Sequence, residues 1–296
     1  TKGESIMGVT TLVDSSKGLK FTESPRWHNG ELWFLDIHGR AIKKVSMDGA
    51  LETVVDLPFL PNSLGFTPDG KAVFGDGLKR VLYILDGKKY KQLADISGVA
   101  KICLSDGMLS AQGNYYVGDI GFNFLAGSAP TPTGTIVLVK PDGQASVVAD
   151  NLFFPNGMVI TPDGKTLIVA ETFAHCLTAF DVKEDGTLAN RRKFAQLPGT
   201  VGAPDGVCPD GICVDAENAV WVATAVGSFV LRVREGGEVT QRIDIENLSF
   251  AVMLGGSDRK TLCICSSHTH NPQEIMKAAN ARIELVKVDV PGAGCP

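Results

Sequence analysis

Long apolar stretches are missing from this chain. No uncharged apolar run approaches the roughly 18 residues that a membrane-crossing helix needs, so no membrane span is expected. A basic block is missing too. With 28 Lys and Arg against 33 Asp and Glu, the formal net charge is −5, which argues against nucleic acid as a partner. The opening residues, Thr1-Lys-Gly-Glu-Ser5, lack the apolar centre of a leader peptide, although a leader removed by processing is compatible with that start. Cysteine is an odd seven with no metal-finger spacing, and the expectation is a reduced, cytoplasmic protein. No Gly-x-Ser-x-Gly elbow, phosphate loop or dinucleotide fingerprint occurs, which removes three large enzyme classes. Helical patterning is confined to a turn or two around 272–280. Disorder is excluded by 44% hydrophobic and 21% charged residues, which suffice for a large core.

What the chain does have is a unit that returns six times. Its clearest copies are Phe66-Thr-Pro-Asp-Gly-Lys-Ala-Val-Phe74 and Ile160-Thr-Pro-Asp-Gly-Lys-Thr-Leu-Ile168. Each reads as strand, turn, strand: Pro presets φ, Asp bonds its own backbone, and Gly accepts the positive φ that closes the hairpin. Across the six copies the turns centre near Gly30, Gly70, Gly113, Gly164, Asn218 and Asp258, at intervals of 40, 43, 51, 54 and 40 residues. A second hairpin follows the first in each period, as in 80–90 and 135–148. Four strands per period of this length predict an all-β, six-bladed β-propeller, with residues 1–296 as one domain. Two strand signals lack partners, 6–13 before the first repeat and 281–290 after the last. Pairing them removes an exposed edge, so the N-terminal strand is expected to close the last blade.

In a propeller the innermost strands line a central channel, and equivalent positions converge at its mouth. Counting back seven or eight residues from each turn gives Glu23, Asn62, Ser105, Asn156, Asp210 and Phe250. Five of these carry oxygen where a structural strand would favour Val or Ile. Convergent polar groups need partners, and Glu23, Asn156 and Asp210 offer two carboxylates and an amide oxygen. That set suits one divalent metal cation, with Ca²⁺, Mg²⁺ or Mn²⁺ favoured over Zn²⁺ or Fe²⁺. The competing reading makes Asn156 and Asp210 the openers of ordinary Asn-Gly and Asp-Gly turns.

Several stretches resemble the SMP-30/gluconolactonase/LRE-like family. Glu23-Ser-Pro-Arg-Trp27 with Leu32-Trp-Phe-Leu-Asp-Ile37 is similar to its opening motif. Phe154-Pro-Asn-Gly157, and Pro209-Asp-Gly-Ile-Cys-Val-Asp215 with Val220-Trp-Val-Ala223, are similar to two further signatures. The resemblance spans nearly the whole chain. It implies a six-bladed propeller with one divalent metal near the channel mouth, and hydrolysis of sugar lactones or other small lactones. By motif it makes Glu23, Asn156 and Asp210 metal ligands and Asp210 the general base. On this account the metal polarises the lactone carbonyl and a water attacks. A cation-bound Asp210 is a weak base, so that water must itself be acidified. Blade three departs from the pattern: in Lys101-Ile-Cys-Leu-Ser-Asp-Gly107, Cys103 and Ser105 stand where family members often carry Arg and Asn. The exchange removes a cationic fork for hydroxyls or carboxylates. A less polar lactone or ester fits the altered position, as does another metal-assisted reaction.

Other candidates for a small-molecule substrate site are Asp119 and Glu171, at comparable strand ends, His175, and His268 with His270, which share a face if their segment is extended. Each has a plainer reading as a strand-end, core or solvated-loop residue. Cys263 and Cys265 read as buried core thiols. The long loop 121–134 is a candidate lid or specificity element. Three function classes stay open: a metal-dependent hydrolase of a lactone or ester, a strictosidine-synthase-like propeller, and a non-catalytic metal-binding propeller. The oligomeric state is not legible.

Overall fold

The computed structural model describes residues 8–295. Among them, 24 strands form six four-stranded antiparallel sheets, the blades of a β-propeller. Blades one to five occupy residues 22–56, 61–95, 104–152, 155–196 and 212–244. Blade six takes three strands from 248–287 and its outer strand from Val9–Val13. That strand lies antiparallel to Arg282–Lys287, with Val9 opposite Val286 and Val13 opposite Ile283. The N-terminal strand therefore closes the last blade as expected; Ile6 and Met7, the start of the expected strand, lie outside the described residues. The one α-helix among the described residues, Pro272–Lys277, is held at its start by Asn271, whose Oδ1 accepts from Gln273 N at 2.9 Å.

The repeat turns form for the reasons their residues suggest. Thr67 Oγ1 donates to Asp69 Oδ1 at 2.5 Å, Gly70 N donates to Thr67 O at 2.8 Å, and Gly70 sits at φ +85°. Thr161, Asp163 and Gly164 repeat this arrangement one hairpin class later, with Thr161 Oγ1 at 2.7 Å from Asp163 Oδ1.

The apolar core lies in layers between neighbouring blades. Leu35 and Ile42 meet Leu64 and Phe74 between blades one and two, and Met108 and Tyr116 meet Met158 and Leu167 between three and four. Each such side chain contributes about 1.5–3 kcal/mol on burial. Tyr116 also carries its hydroxyl into this layer and donates to Gly186 O at 2.7 Å. This stacking leaves the inner strand of every blade facing the axis.

Two local devices set the mouth of that channel. First, an acidic residue ends the second strand of several blades and accepts from the backbone that leads into the inner strand. Asp36 accepts from Phe21 N at 2.9 Å, Asp119 from Cys103 N at 3.1 Å, and Glu171 from Phe153 N at 2.8 Å. Second, the inner strands slip register at one level. The slips fall between Glu23 and Arg26, Asn62 and Leu64, Leu104 and Gly107, Pro155 and Met158, and Ser249 and Ala251. Bulges re-aim side chains, and here Ser24 and Ser63 adopt φ of 48° and 51° directly after Glu23 and Asn62.

Candidate metal centre and active site

The six positions equivalent by repeat register, Glu23, Asn62, Ser105, Asn156, Asp210 and Phe250, line one cavity of about 470 Å³. Asn156 and Asp210 do not open turns. Asn156 lies within the strand Pro155–Ile160, and Gly157 follows it because a Cβ there would stand 2.5 Å from Asp210 O. Gly157 N instead donates to that carbonyl at 3.2 Å, which brings blades four and five together beneath the site.

Asn156 is oriented by a relay. Its Nδ2 donates to Thr172 Oγ1 at 3.2 Å, and Thr172 Oγ1 donates to Pro209 O at 2.9 Å. This leaves Asn156 Oδ1 available as an acceptor. Glu23 Oε2 accepts from Ser24 N at 2.6 Å. Asp210 lines the cavity and is half-buried. Burial raises its pKa, Asp106 raises it further, and hydrogen bonds with Glu23 and Asn156 oppose the rise. Glu23 is raised well above the ordinary carboxylate range, by burial first, then by Asp210 and Asp106.

Asp106, which was not among the candidates read from the sequence, is therefore a third central carboxylate. It lines the cavity. Arg26 holds it: Nη2 donates to Asp106 Oδ1 at 2.9 Å and to Gly107 O at 2.7 Å. Asp106 Oδ1 also accepts from Gly107 N at 2.8 Å and from Ser24 Oγ at 3.2 Å. The signal available in the sequence was an Arg within the opening motif, on an inner strand otherwise facing acid.

A divalent cation fits this donor chemistry. Three carboxylates face one guanidinium, and that guanidinium is committed to Asp106. Glu23 and Asp210 are left without an ion pair of their own among the described residues, and burial together with the charge of Asp106 pushes both toward the protonated form. Among the described residues, no three His, Cys, Asp or Glu side chains gather as a ligand set. The donors here are instead two carboxylates and one amide oxygen, a hard set suited to Ca²⁺, Mg²⁺ or Mn²⁺.

The remaining candidates divide. Asn62 and Ser105 line the cavity, and Ser105 Oγ donates to Pro155 O at 2.5 Å. Cys103 also lines it, with its thiol pushed up to about 11 by burial and by Asp119, so it is a neutral wall element. Asp119 and Glu171 are not in the lining; they are the backbone-catching acids of the fold. Glu171 also accepts from Thr178 Oγ1, and Arg191 lies 3.3 Å from it. His175 is fully buried behind the site, its Nδ1 2.8 Å from Val207 O and its Nε2 2.9 Å from Thr200 O, where it anchors the segment leading to Cys208 and Asp210. His268 faces away, its Nδ1 2.5 Å from Asn280 Oδ1. His270 lines the cavity. The strand ends at Ser267, so the alternation that would have aligned the two histidines does not extend to them. From the long loop, Phe124 and Leu125 reach the cavity. All seven cysteines are free, and Cys263 and Cys265 are buried.

With this geometry, the channel and its mouth define an acid-lined six-bladed propeller. The chain belongs to the SMP-30/Gluconolactonase/LRE-like family, whose model matches residues 21–268. A 6-deoxy-6-sulfogluconolactonase of Pseudomonas putida is 28% identical over 287 residues, covering 93% of this chain and 93% of that protein. A pentonolactonase of Haloferax volcanii is 25% identical over 268 residues, covering 88% of this chain and 86% of that protein. A crystal structure of regucalcin, a calcium-binding protein of Agrobacterium tumefaciens, superposes with a TM-score of 0.78 at 20% identity, covering 97% of each chain. That last likeness speaks to the fold alone.

Proposed function

We propose that the chain is a metal-dependent hydrolase that opens a small lactone or related ester. The observation that carries this reading is the convergence of Glu23, Asp210 and Asp106 on one cavity with a single arginine, Arg26, which is committed to Asp106. The family membership and the two lactonase-named relatives support the same class.

Glu23, Asn156 and Asp210 would hold the cation. When bound, it would supply Lewis-acid polarisation of the carbonyl to be attacked. The chain's own groups do the rest. Hydrolysis joins the oxygen of water to the acyl carbon, breaks the acyl–oxygen bond and moves a proton to the departing alkoxide. Asp210 is the carboxylate placed to carry that proton. Thr172 keeps the Asn156 amide in plane, and Gly157 lets the Asp210 backbone sit against blade four. Arg26 holds Asp106 in a 2.9 Å ion pair, which offsets one of the three acidic charges at the site. The apolar mouth limits competing water.

The test is lactone turnover followed by acid release in a pH-indicator assay. Metal-replete protein is expected to turn over members of a lactone panel, and chelated protein to lose that activity and regain it on adding Mn²⁺ or Ca²⁺. Full activity in stripped protein would overturn the metal role. Inactivity across the panel after reloading would overturn the hydrolase reading.

A further inference from the structure

The cavity's chemistry is uneven. Its floor is polar, and part of that polarity is already engaged: Ser105 donates to Pro155 O, Ser24 to Asp106, and Thr172 to Pro209 O. One wall is Cys103, Ile120, Phe154 and Phe173, continued at the mouth by Phe124 and Leu125. The rings meet edge to face, Phe154 and Phe173 with centroids 5.7 Å apart at 66°, and Phe124 and Phe154 at 5.2 Å and 85°. Facing them, Phe21 packs on Phe250 with centroids 4.7 Å apart.

Among the described residues, no lysine or arginine lines the cavity. Arg26 is committed to Asp106; Arg80 and Lys101 border an adjoining crevice on the far side of Cys103 and Ile120. Both are engaged with backbone carbonyls: Arg80 Nη1 donates to Leu78 O at 2.8 Å, and Lys101 Nζ to Gly98 O at 2.6 Å. A polyhydroxylated or anionic substrate would leave hydroxyls or a charge against this wall without partners, which is costly in a buried site. An aromatic or branched alkyl group would continue the edge-to-face packing and cover Leu125, which is 55% exposed.

We propose that the substrate is a lactone or cyclic ester bearing an aryl or branched alkyl substituent. The substituent seats against Cys103, Ile120, Phe154 and Phe173 under Phe124 and Leu125. This rests on the hydrolase reading above and adds the substrate class to it. The carbonyl lies at the acid floor and the substituent points toward blade three. Cys103, the small neutral side chain in that wall, is the specificity-determining position.

Metal-replete protein should be assayed on γ-phenyl-γ-butyrolactone and on D-glucono-δ-lactone, with kcat/KM measured for each. The phenyl lactone is expected to be favoured by at least about tenfold, the scale of a filled apolar pocket. Leu125→Asp, on an exposed loop where folding is not at stake, should lower kcat/KM for the phenyl lactone at least about fivefold, chiefly through KM. Cys103→Arg should shift preference toward the sugar lactone. Preference of the parent for gluconolactone would overturn the substrate class while leaving the hydrolase intact. If neither is hydrolysed, the lactone panel decides the hydrolase reading and calorimetric titration with the phenyl lactone decides the pocket. Binding that Leu125→Asp weakens upholds it, and absence of binding overturns it.

Discussion

Two buried charge clusters in this molecule are built from the same residue types with opposite accounting. In blade five, Asp215 Oδ2 accepts from Arg232 Nε at 2.8 Å, and its Oδ1 accepts from Glu217 N and Ala219 N at 2.9 and 3.1 Å. The same guanidinium donates to Glu217 Oε2 at 2.8 Å and to Thr240 Oγ1 at 3.1 Å. Arg234 Nη2 lies 3.6 Å from Glu217 Oε2, so two carboxylates meet two guanidiniums and the charges close on themselves. In the channel, Arg26 satisfies Asp106 in similar fashion, yet Glu23 and Asp210 stand beside that pair with no cation of their own. The first cluster is complete as protein; the second is complete only with a cation or with protons. A structural ion pair and a site are thus told apart by whether the charges cancel among the residues present, more than by burial.

Breaking the channel cluster is expected to give the largest effect. Asp210→Asn should remove metal binding and lower hydrolysis by about 10²–10⁴-fold, while the thermal transition stays near that of the metal-free parent because no blade packing is lost. Metal content and turnover of the variant beside the parent check this; retained metal with retained rate would refute it. The blade-five cluster should respond the other way. Asp215→Ala leaves Arg232 Nε and the Glu217 and Ala219 amides without their acceptor and should cost about 3–5 kcal/mol in urea unfolding, with metal stoichiometry unchanged in the folded fraction.

A third contrast lies in pH. Glu23 and Asp210 have folded-state values raised above those of the unfolded chain. Their contribution to stability is therefore full below the ordinary carboxylate range and declines as pH rises through the raised values. In chelator, thermal stability should fall from about pH 5 to about pH 9, with carboxylate titration as the cause. With saturating divalent ion the decline should vanish or reverse, since the ion replaces the protons. A pH profile identical with and without metal would contradict the idea that this pair awaits a cation.

The smallest effect is expected at Ser105. Ser105→Asn must give up the bond to Pro155 O and crowd Gly118, where even a Cβ would stand 2.4 Å from Ser105 Oγ. It should change KM across a lactone panel by a few fold and leave metal affinity nearly untouched. Kinetics unaltered on every substrate would reduce Ser105 to a strand-entry residue.

Much of this was legible in the sequence because the fold repeats. Pro-Asp-Gly turns at blade spacing placed the hairpins, and register counted from those turns picked out six residues that share one cavity. The unpaired signals at the two ends gave the closure. Asp106 was not legible because Asp-Gly reads locally as a turn, and only the bulge between Leu104 and Gly107 turns it inward. Asp119 and Glu171 drew attention as acids at equivalent strand ends. Their equivalence reflects a folding device, the capture of backbone amides ahead of the next inner strand. His268 and His270 were misaligned by assuming strand alternation past Ser267, where the strand stops. Aromatic packing over the cavity depended on where the 121–134 loop lands, which no local pattern encodes.

The closing strand also imposes an order of events on the ribosome. Val9–Val13 is made before the other described strands, but Arg282–Lys287, which it must pair with, is the last of them to be made. Five blades can assemble as hairpins while the early strand waits with both edges bare. Blade one borders blade six through the contacts of Thr22–His28 with Leu248–Gly255, so Glu23 cannot be fixed on both sides until the ring shuts. The acid floor is thus among the last parts of the molecule to take shape.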